Sequence, residues 1–255
     1  MSGGRIDPRQ RFTETAGDYA RYRPSYPEAL VDWVLERTGA GPGARVRVLD
    51  LGCGTGISSR LFASRGLEVI GVDPNPAMLE RAEQAGGGPR YLRGEALATG
   101  LPARSVDLVI IAQAFHWFYG EPVLAELGRV LAPGGACAPF WNVRDDRDPA
   151  MAEYEALLQT LEAYRAVDRF DDVLDWIDAR SDLGTIERGE FPHHQRLDRE
   201  AFFGRVFSSS YVVHGVSDRA AFERRLDAFF ARHAVEGALA FRYRTKARLF
   251  RPSSS

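Results

Sequence analysis

Lysine is almost missing from this chain: of 33 basic residues, only Lys246 is one. In a sequence rich in alanine and glycine, that bias reads as codon composition more than as function. Cysteine is scarce too. Cys53 and Cys137 cannot make a disulfide framework. No apolar stretch has the length of a membrane span. Met1–Gln10 is polar and lacks the apolar run of a signal peptide. No basic block interrupts a net charge of −2 with both signs interspersed, which argues against nucleic acid as the main partner. A soluble, cytoplasmic protein without a membrane partner is expected, with loose tails at 1–10 and 251–255. What is present is a chain of 255 residues, 45% hydrophobic, which can bury the core of one large domain with a small elaboration.

The pattern along the chain falls into three parts. Segment 1–44 is helical: two helices within Phe12–Arg37 are separated by Arg23-Pro24-Ser25-Tyr26-Pro27. Leu30, Val31, Val34 and Leu35 recur at helical spacing. Segment 45–142 alternates strands (Val46–Asp50, Glu68–Asp73, Tyr91–Gly94, Val106–Gln113, Ala136–Asn142) with helices (Ile57–Arg65, Pro76–Ala85, Val123–Leu131). Such alternation implies right-handed crossovers and a parallel sheet covered on both faces. Segment 143–255 is mostly helical, on the stripes Met151-Tyr154-Leu158-Leu161, Phe170-Leu174-Ile177 and Phe222-Leu226-Phe229-His233. Two late strands are expected within Ile186–Arg196 and Phe241–Phe250.

The run Val48-Leu49-Asp50-Leu51-Gly52-Cys53-Gly54-Thr55-Gly56 sits where the first strand turns into a helix. Glycines there let the backbone turn tightly and approach a ligand. The spacing is G-x-G-x-G, so the third glycine of a dinucleotide fingerprint is replaced by Ile57. Asp50 is awkward beside a pyrophosphate but suits a cationic ligand, and S-adenosylmethionine carries a sulfonium and an ammonium. Asp73, ending the second strand, can accept ribose hydroxyls in either kind of site.

The series VLDLGCGTG, VIGVDPNPAML, RGEALATGLPARSVDLV and RVLAPGG, in that order over 45–142, resembles the class I S-adenosylmethionine-dependent methyltransferases. Tyr19–Pro27 matches Y-x-x-x-R-P-x-Y-P, and Ala112–Phe118 matches A-x-A-F-H-W-F. With Phe140-Trp141-Asn142-Val143-Arg144-Asp145, these are similar to the trans-aconitate methyltransferase-like group of the methyltransferase type 11 family. The resemblance implies an α/β, Rossmann-like fold: a mostly parallel seven-stranded sheet with a reversed final hairpin, helices on both faces and a helical substrate cover. It also implies site roles. Asp50 and the backbone through Gly52, Cys53 and Gly54 face the methionine part of the cofactor. Asp73 holds the ribose. Pro74 and Met78 pack on adenine, Glu95 and Ala96 receive its amino group, and the Gln113 carbonyl meets the ammonium. Met78 also reads as helix core, and Glu95 as a solvated loop acid.

Methyl transfer is an in-line displacement from an activated donor, so the protein mainly binds, orients and excludes water. Tyr19, Phe115 and Trp117 are candidates for cation–π contact with the sulfonium, or simply close the pocket. Tyr26, Trp117 and Trp141 are candidate substrate contacts. His116 is the candidate general base, with shaping of the loop as the competing role. Arg23 suits a carboxylate of methionine or of the substrate, or ties down the N-terminal helices. His193 and His194 point to opposite faces of a strand, so no metal is expected. The expected activity is S-adenosylmethionine-dependent methylation of a small molecule on a carboxylate, hydroxyl or thiol, leaving S-adenosylhomocysteine. Cofactor binding without methyl transfer, as a sensor or scaffold, and, less favoured, a nicotinamide oxidoreductase are the alternatives. Monomer and homodimer are both open.

Overall fold

Short runs of Val, Leu and Ile without polar alternation suit strands buried on both faces. In the computed structural model, which describes residues 21–39, 45–165, 170–213 and 215–252, the runs of the central segment become such strands. In chain order the elements are α1 (Glu28–Thr38), β1 (Arg47–Leu51), α2 (Ile57–Ala63), β2 (Glu68–Asp73), α3 (Pro76–Gln84), β3 (Arg90–Arg93) and β4 (Val106–Ala112). Then come α4 (Glu121–Val130), β5 (Leu131–Arg144), α5 (Pro149–Leu158), α6 (Phe170–Asp178), β6 (Glu187–Leu197), α7 (Arg199–Phe207), α8 (Arg219–His233) and β7 (Leu239–Leu249).

The strands form one seven-stranded sheet in the order β3-β2-β1-β4-β5-β7-β6. β1 to β5 pair in parallel, and β7 runs antiparallel to both β5 and β6. This is the expected mostly parallel sheet with its reversed last hairpin. One sheet face is packed by Val123 and Leu127 of α4 on Leu49, Val109 and Ile111. The other carries Leu30, Val31 and Val34 of α1 and Phe62 of α2 on Val48, Leu108 and Ile110. A third cluster joins α5, α7 and α8 to β7 through Tyr154, Phe202, Phe229 and Phe241. Among the described residues, no helix is long and apolar enough to cross a membrane.

Two details differ from expectation. β5 starts at Leu131, which pairs with Val106; the register then shifts so that Ala136 meets Leu108, leaving Pro133-Gly134-Gly135 between. Helix α7 has no counterpart in the sequence reading, because the adjacent Phe202 and Phe203, followed by Gly204, blur its period. The earlier of the two N-terminal helices, up to residue 20, lies outside the described residues.

Glu126 of α4 steadies the loop after β3. Its carboxylate accepts from Thr99 N (2.8 Å), Thr99 Oγ1 (2.7 Å) and Arg129 Nε (2.7 Å). Burial works against the charge, but these donors outweigh it and pull the group down to about 2. A depressed carboxylate adds stability above its unfolded value that is lost as pH falls through the folded one. Glu126→Gln should therefore cost about 1–3 kcal/mol at pH 7, with the deficit shrinking between pH 4.5 and pH 2. Urea unfolding at both ends of that range checks it.

Candidate active site

The strand order reverses between β1 and β4, and ligands of open α/β sheets bind at the carboxyl ends of strands beside such a switch. A cavity of about 400 Å³ opens there. Its walls are Leu51, Gly52 and Gly54 after β1, Asp73, Pro74, Asn75 and Met78 after β2, Gly94, Glu95, Ala96 and Leu97 after β3, and Ala112–Ala114 with Trp117 and Phe118 after β4.

The glycine loop has this shape for local reasons. Gly52 has φ +73°, and a Cβ there would lie 2.7 Å from the Ala114 Cβ. Gly54, at φ +53°, donates its N–H to Asp73 Oδ2 at 2.9 Å. Asn75 N donates to the other Asp73 oxygen at 2.8 Å. Burial, and the Glu95 charge nearby, outweigh these donors and raise the Asp73 carboxyl above its usual range. Among the described residues, the cavity wall holds two carboxylates and neither lysine nor arginine. A pyrophosphate would meet only negative charge there; a ligand with cationic centres, ribose hydroxyls and an aromatic base fits.

Gln113 ends β4 in the left-handed region, at φ +57°. For a residue with a side chain this conformation costs about 1 kcal/mol or more and marks a held geometry. Its N–H donates to Phe140 O at 3.0 Å and its Nε2 to Asn142 O at 3.2 Å. Gln113 also lines a second cavity, of about 530 Å³. Arg23, Tyr26, His116, Trp141, Asn142, Arg144, Arg205, Tyr211 and Tyr243 are among its walls. The segment at Ser25 is tied to β5 by Asn142 Nδ2, which donates to Ser25 O at 2.9 Å.

The predicted residues divide between these spaces. Gly52, Gly54, Asp73, Pro74, Met78, Glu95, Ala96, Gln113 and Trp117 line the first cavity. Tyr26, Arg23, His116 and Trp141 line the second, so Arg23 sits with the substrate candidates and Trp117 with the cofactor candidates. Cys53 lies buried behind the glycine loop, its thiol pushed well up by burial. Phe115 is fully buried in the core, edge-on to Trp176 at 6.2 Å, and lines neither cavity, because its short 3₁₀ turn directs it under the loop. Asp50 is fully buried and lines neither cavity; Ser58 and Ser59 hydroxyls donate to its Oδ2 at 2.7 and 2.5 Å. Tyr19 lies outside the described residues. Trp141 Nε1 donates to His116 Nδ1 at 3.4 Å, the arrangement expected when a neutral ring carries its proton on Nε2. Arg144, Arg205, Tyr211 and Tyr243 were not named as site residues. A signal existed for one: Arg205 shares the buried face of α7 with Phe202 and Val206.

Comparison with known proteins agrees with this geometry. A family model described as a methyltransferase domain matches residues 49–138. An uncharacterized methyltransferase of Mycobacterium tuberculosis is 35% identical over 213 residues, 84% of this chain and 82% of that one. The chain belongs to the methyltransferase-domain family. A malonyl-[acyl-carrier protein] O-methyltransferase of Serratia marcescens is 39% identical over 125 residues, 49% of this chain and 48% of that one. A solved structure from Anaeromyxobacter dehalogenans, named as a type II methyltransferase, covers 91% of this chain and all of its own, with 27% identity and a TM-score of 0.66. The protein is an S-adenosylmethionine-dependent methyltransferase.

In this methyltransferase Asp50 lies buried beneath the glycine loop. Burial raises its carboxyl to about 6 against the Ser59 and Ser58 hydrogen bonds, and its Oδ1 has no partner among the described residues. A raised carboxyl gives stability that is full below its unfolded value and is lost as pH climbs through the folded one. Asp50→Asn does not titrate. Without cofactor, its melting temperature relative to the wild type should rise by about 5 °C between pH 4 and pH 7. A pH-independent difference in a thermal melt would refute this.

Proposed function

We propose that this methyltransferase moves the methyl group onto an oxygen or sulfur (a carboxylate, hydroxyl or thiol) of a small cytoplasmic molecule held in the second cavity. The observation that carries the reading is the junction: Gln113 is common to both cavities, so donor and acceptor meet there. The O-methyltransferase name of the Serratia relative supports oxygen as the acceptor atom.

Bound S-adenosylmethionine supplies a methyl carbon already attached to a good leaving group. An acceptor lone pair forms the new bond to carbon while the old carbon–sulfur pair stays on sulfur. The protein's part is to orient and to exclude water. Asp73 holds the ribose hydroxyls. Met78, Pro74 and Leu97 would hold the adenine, with Glu95 and Ala96 to receive its amino group. The Gln113 carbonyl and the backbone at Gly52 and Gly54 take the methionine end. Asp50 acts indirectly, by holding the first turn of α2 through Ser58 and Ser59. On the acceptor side, Tyr26 and Trp141 form walls, and His116 donates from Nε2 to the acceptor.

A carboxylate or thiolate needs no base, and a hydroxyl proton passes to solvent. His116→Gln, which can still donate, should therefore keep kcat/KM within about threefold, whereas His116→Ala should lose about tenfold or more. A labelled-methyl assay over a panel of small acids, alcohols and thiols tests the whole reading. Donor binding with no labelled product from any of them would overturn it, and a pH–rate limb that disappears in His116→Gln would restore the base role.

A further inference from the structure

The second cavity carries a positive charge that the described residues do not balance. Arg144, Arg244 and Lys246 reach it from β5 and β7. Each has a carboxylate partner: Glu155 at 2.6 Å, Asp145 at 3.2 Å and Asp171 at 4.0 Å. Arg205 differs. It is only 7% exposed, and its hydrogen bonds go to the neutral Tyr243 Oη and Ser209 Oγ, both at 3.2 Å. No carboxylate of the described residues forms an ion pair with it. Tyr243 in turn donates to Gln195 Oε1 at 2.9 Å, so the guanidinium is held in one orientation.

A buried cation without a counter-ion is expensive, and replacing it by an apolar side chain is often neutral or stabilising. A core helix gains nothing from such a residue at a position flanked by Phe202 and Val206. The position makes sense where an anion enters. Tyr211 reports the same field. Burial opposes its ionisation, yet the Arg144 and Arg205 guanidiniums hold the phenol below its ordinary value.

The spacing suits a small ligand. Tyr243 stands opposite Arg144 across β5 and β7, so Arg205 and Arg144 lie at one level of the sheet. Arg144 is two residues beyond Asn142, the contact of Gln113, which is roughly 7 Å along the strand. We propose that the second cavity takes an acceptor bearing a carboxylate, which pairs with the Arg205 guanidinium while the atom to be methylated lies at Gln113. Beyond the N–H groups given to Tyr243 and Ser209, the guanidinium has further donors, and a carboxylate accepts from them in charge-assisted hydrogen bonds. This assignment rests on reading the second cavity as the acceptor site, and it names a charge that the acceptor must carry whichever atom is methylated.

The test is calorimetry on the protein loaded with S-adenosylhomocysteine. The probes are mono-, di- and tricarboxylic acids of two to six carbons, their amides, and inorganic phosphate. At least one acid should bind about tenfold or more tightly than its amide. Arg205→Gln should abolish that preference with S-adenosylhomocysteine affinity unchanged, and Arg205→Lys should restore part of it. The inference is overturned if no acid outbinds its amide, if the preference survives in Arg205→Gln, or if phosphate outbinds every carboxylate. The two readings fail separately. An Arg205-dependent acid that receives no methyl sinks the transfer reading alone. Methylation of neutral acceptors with a KM indifferent to Arg205→Gln sinks the carboxylate assignment alone.

Discussion

The active site hangs on the Asp73 carboxylate at the end of β2. One oxygen takes the N–H of Gly54 and the other that of Asn75. The first bond fixes the glycine loop after β1, and the second fixes the turn into α3. A charged acceptor for two backbone donors is stronger than a neutral one. It also anchors the neighbouring wall, because Met78 is carried on α3. The carboxylate that braces the loop is thus the one exposed to the donor. Asp73 thus fixes the shape of the first cavity and shares its negative character with Glu95.

The two cavities differ in the charged side chains they present. The first has Asp73 and Glu95 in its wall and, among the described residues, no basic side chain. The second has basic side chains from β5, β7 and α7, most of them paired. Gln113 stands between them, held by Phe140 and Asn142 at a φ that a side chain seldom adopts. Asn142 is the hub of the second cavity's floor: it contacts Gln113, Ser25 and Thr245. The N-terminal segment and the last strand are therefore both tied to the residue that supports the junction.

Much of this was legible in the chain. β2 runs from Glu68 to Asp73 as its pattern indicates, because an uninterrupted apolar run ending in a charged residue has one stable burial. The glycines, Asp73, Met78, Glu95 and Gln113 all reach one cavity, since each follows a strand and parallel strands bring their ends together. Phe115 misled because a residue in a recognisable motif can face either way, and a 3₁₀ turn buried it. Asp50 misled in a similar way: its charge points to a ligand, but its place inside β1 turns it toward the Ser58 and Ser59 hydroxyls.

The sequence by itself determined the sheet, the glycine loop and the methyl donor. All three depend on local order: hydrophobic period, the turn after a strand, and a carboxylate at a fixed distance along the chain. Only the tertiary structure assembled the second cavity. Arg23, Arg144, Arg205 and Tyr243 are separated by up to some two hundred positions and meet only because β7 reverses beside β5 and α7 packs over that pair. Whether a guanidinium is neutralised depends on which carboxylates come near it in space. No local pattern says that Glu155 reaches Arg144 while Arg205 is left with two hydroxyls.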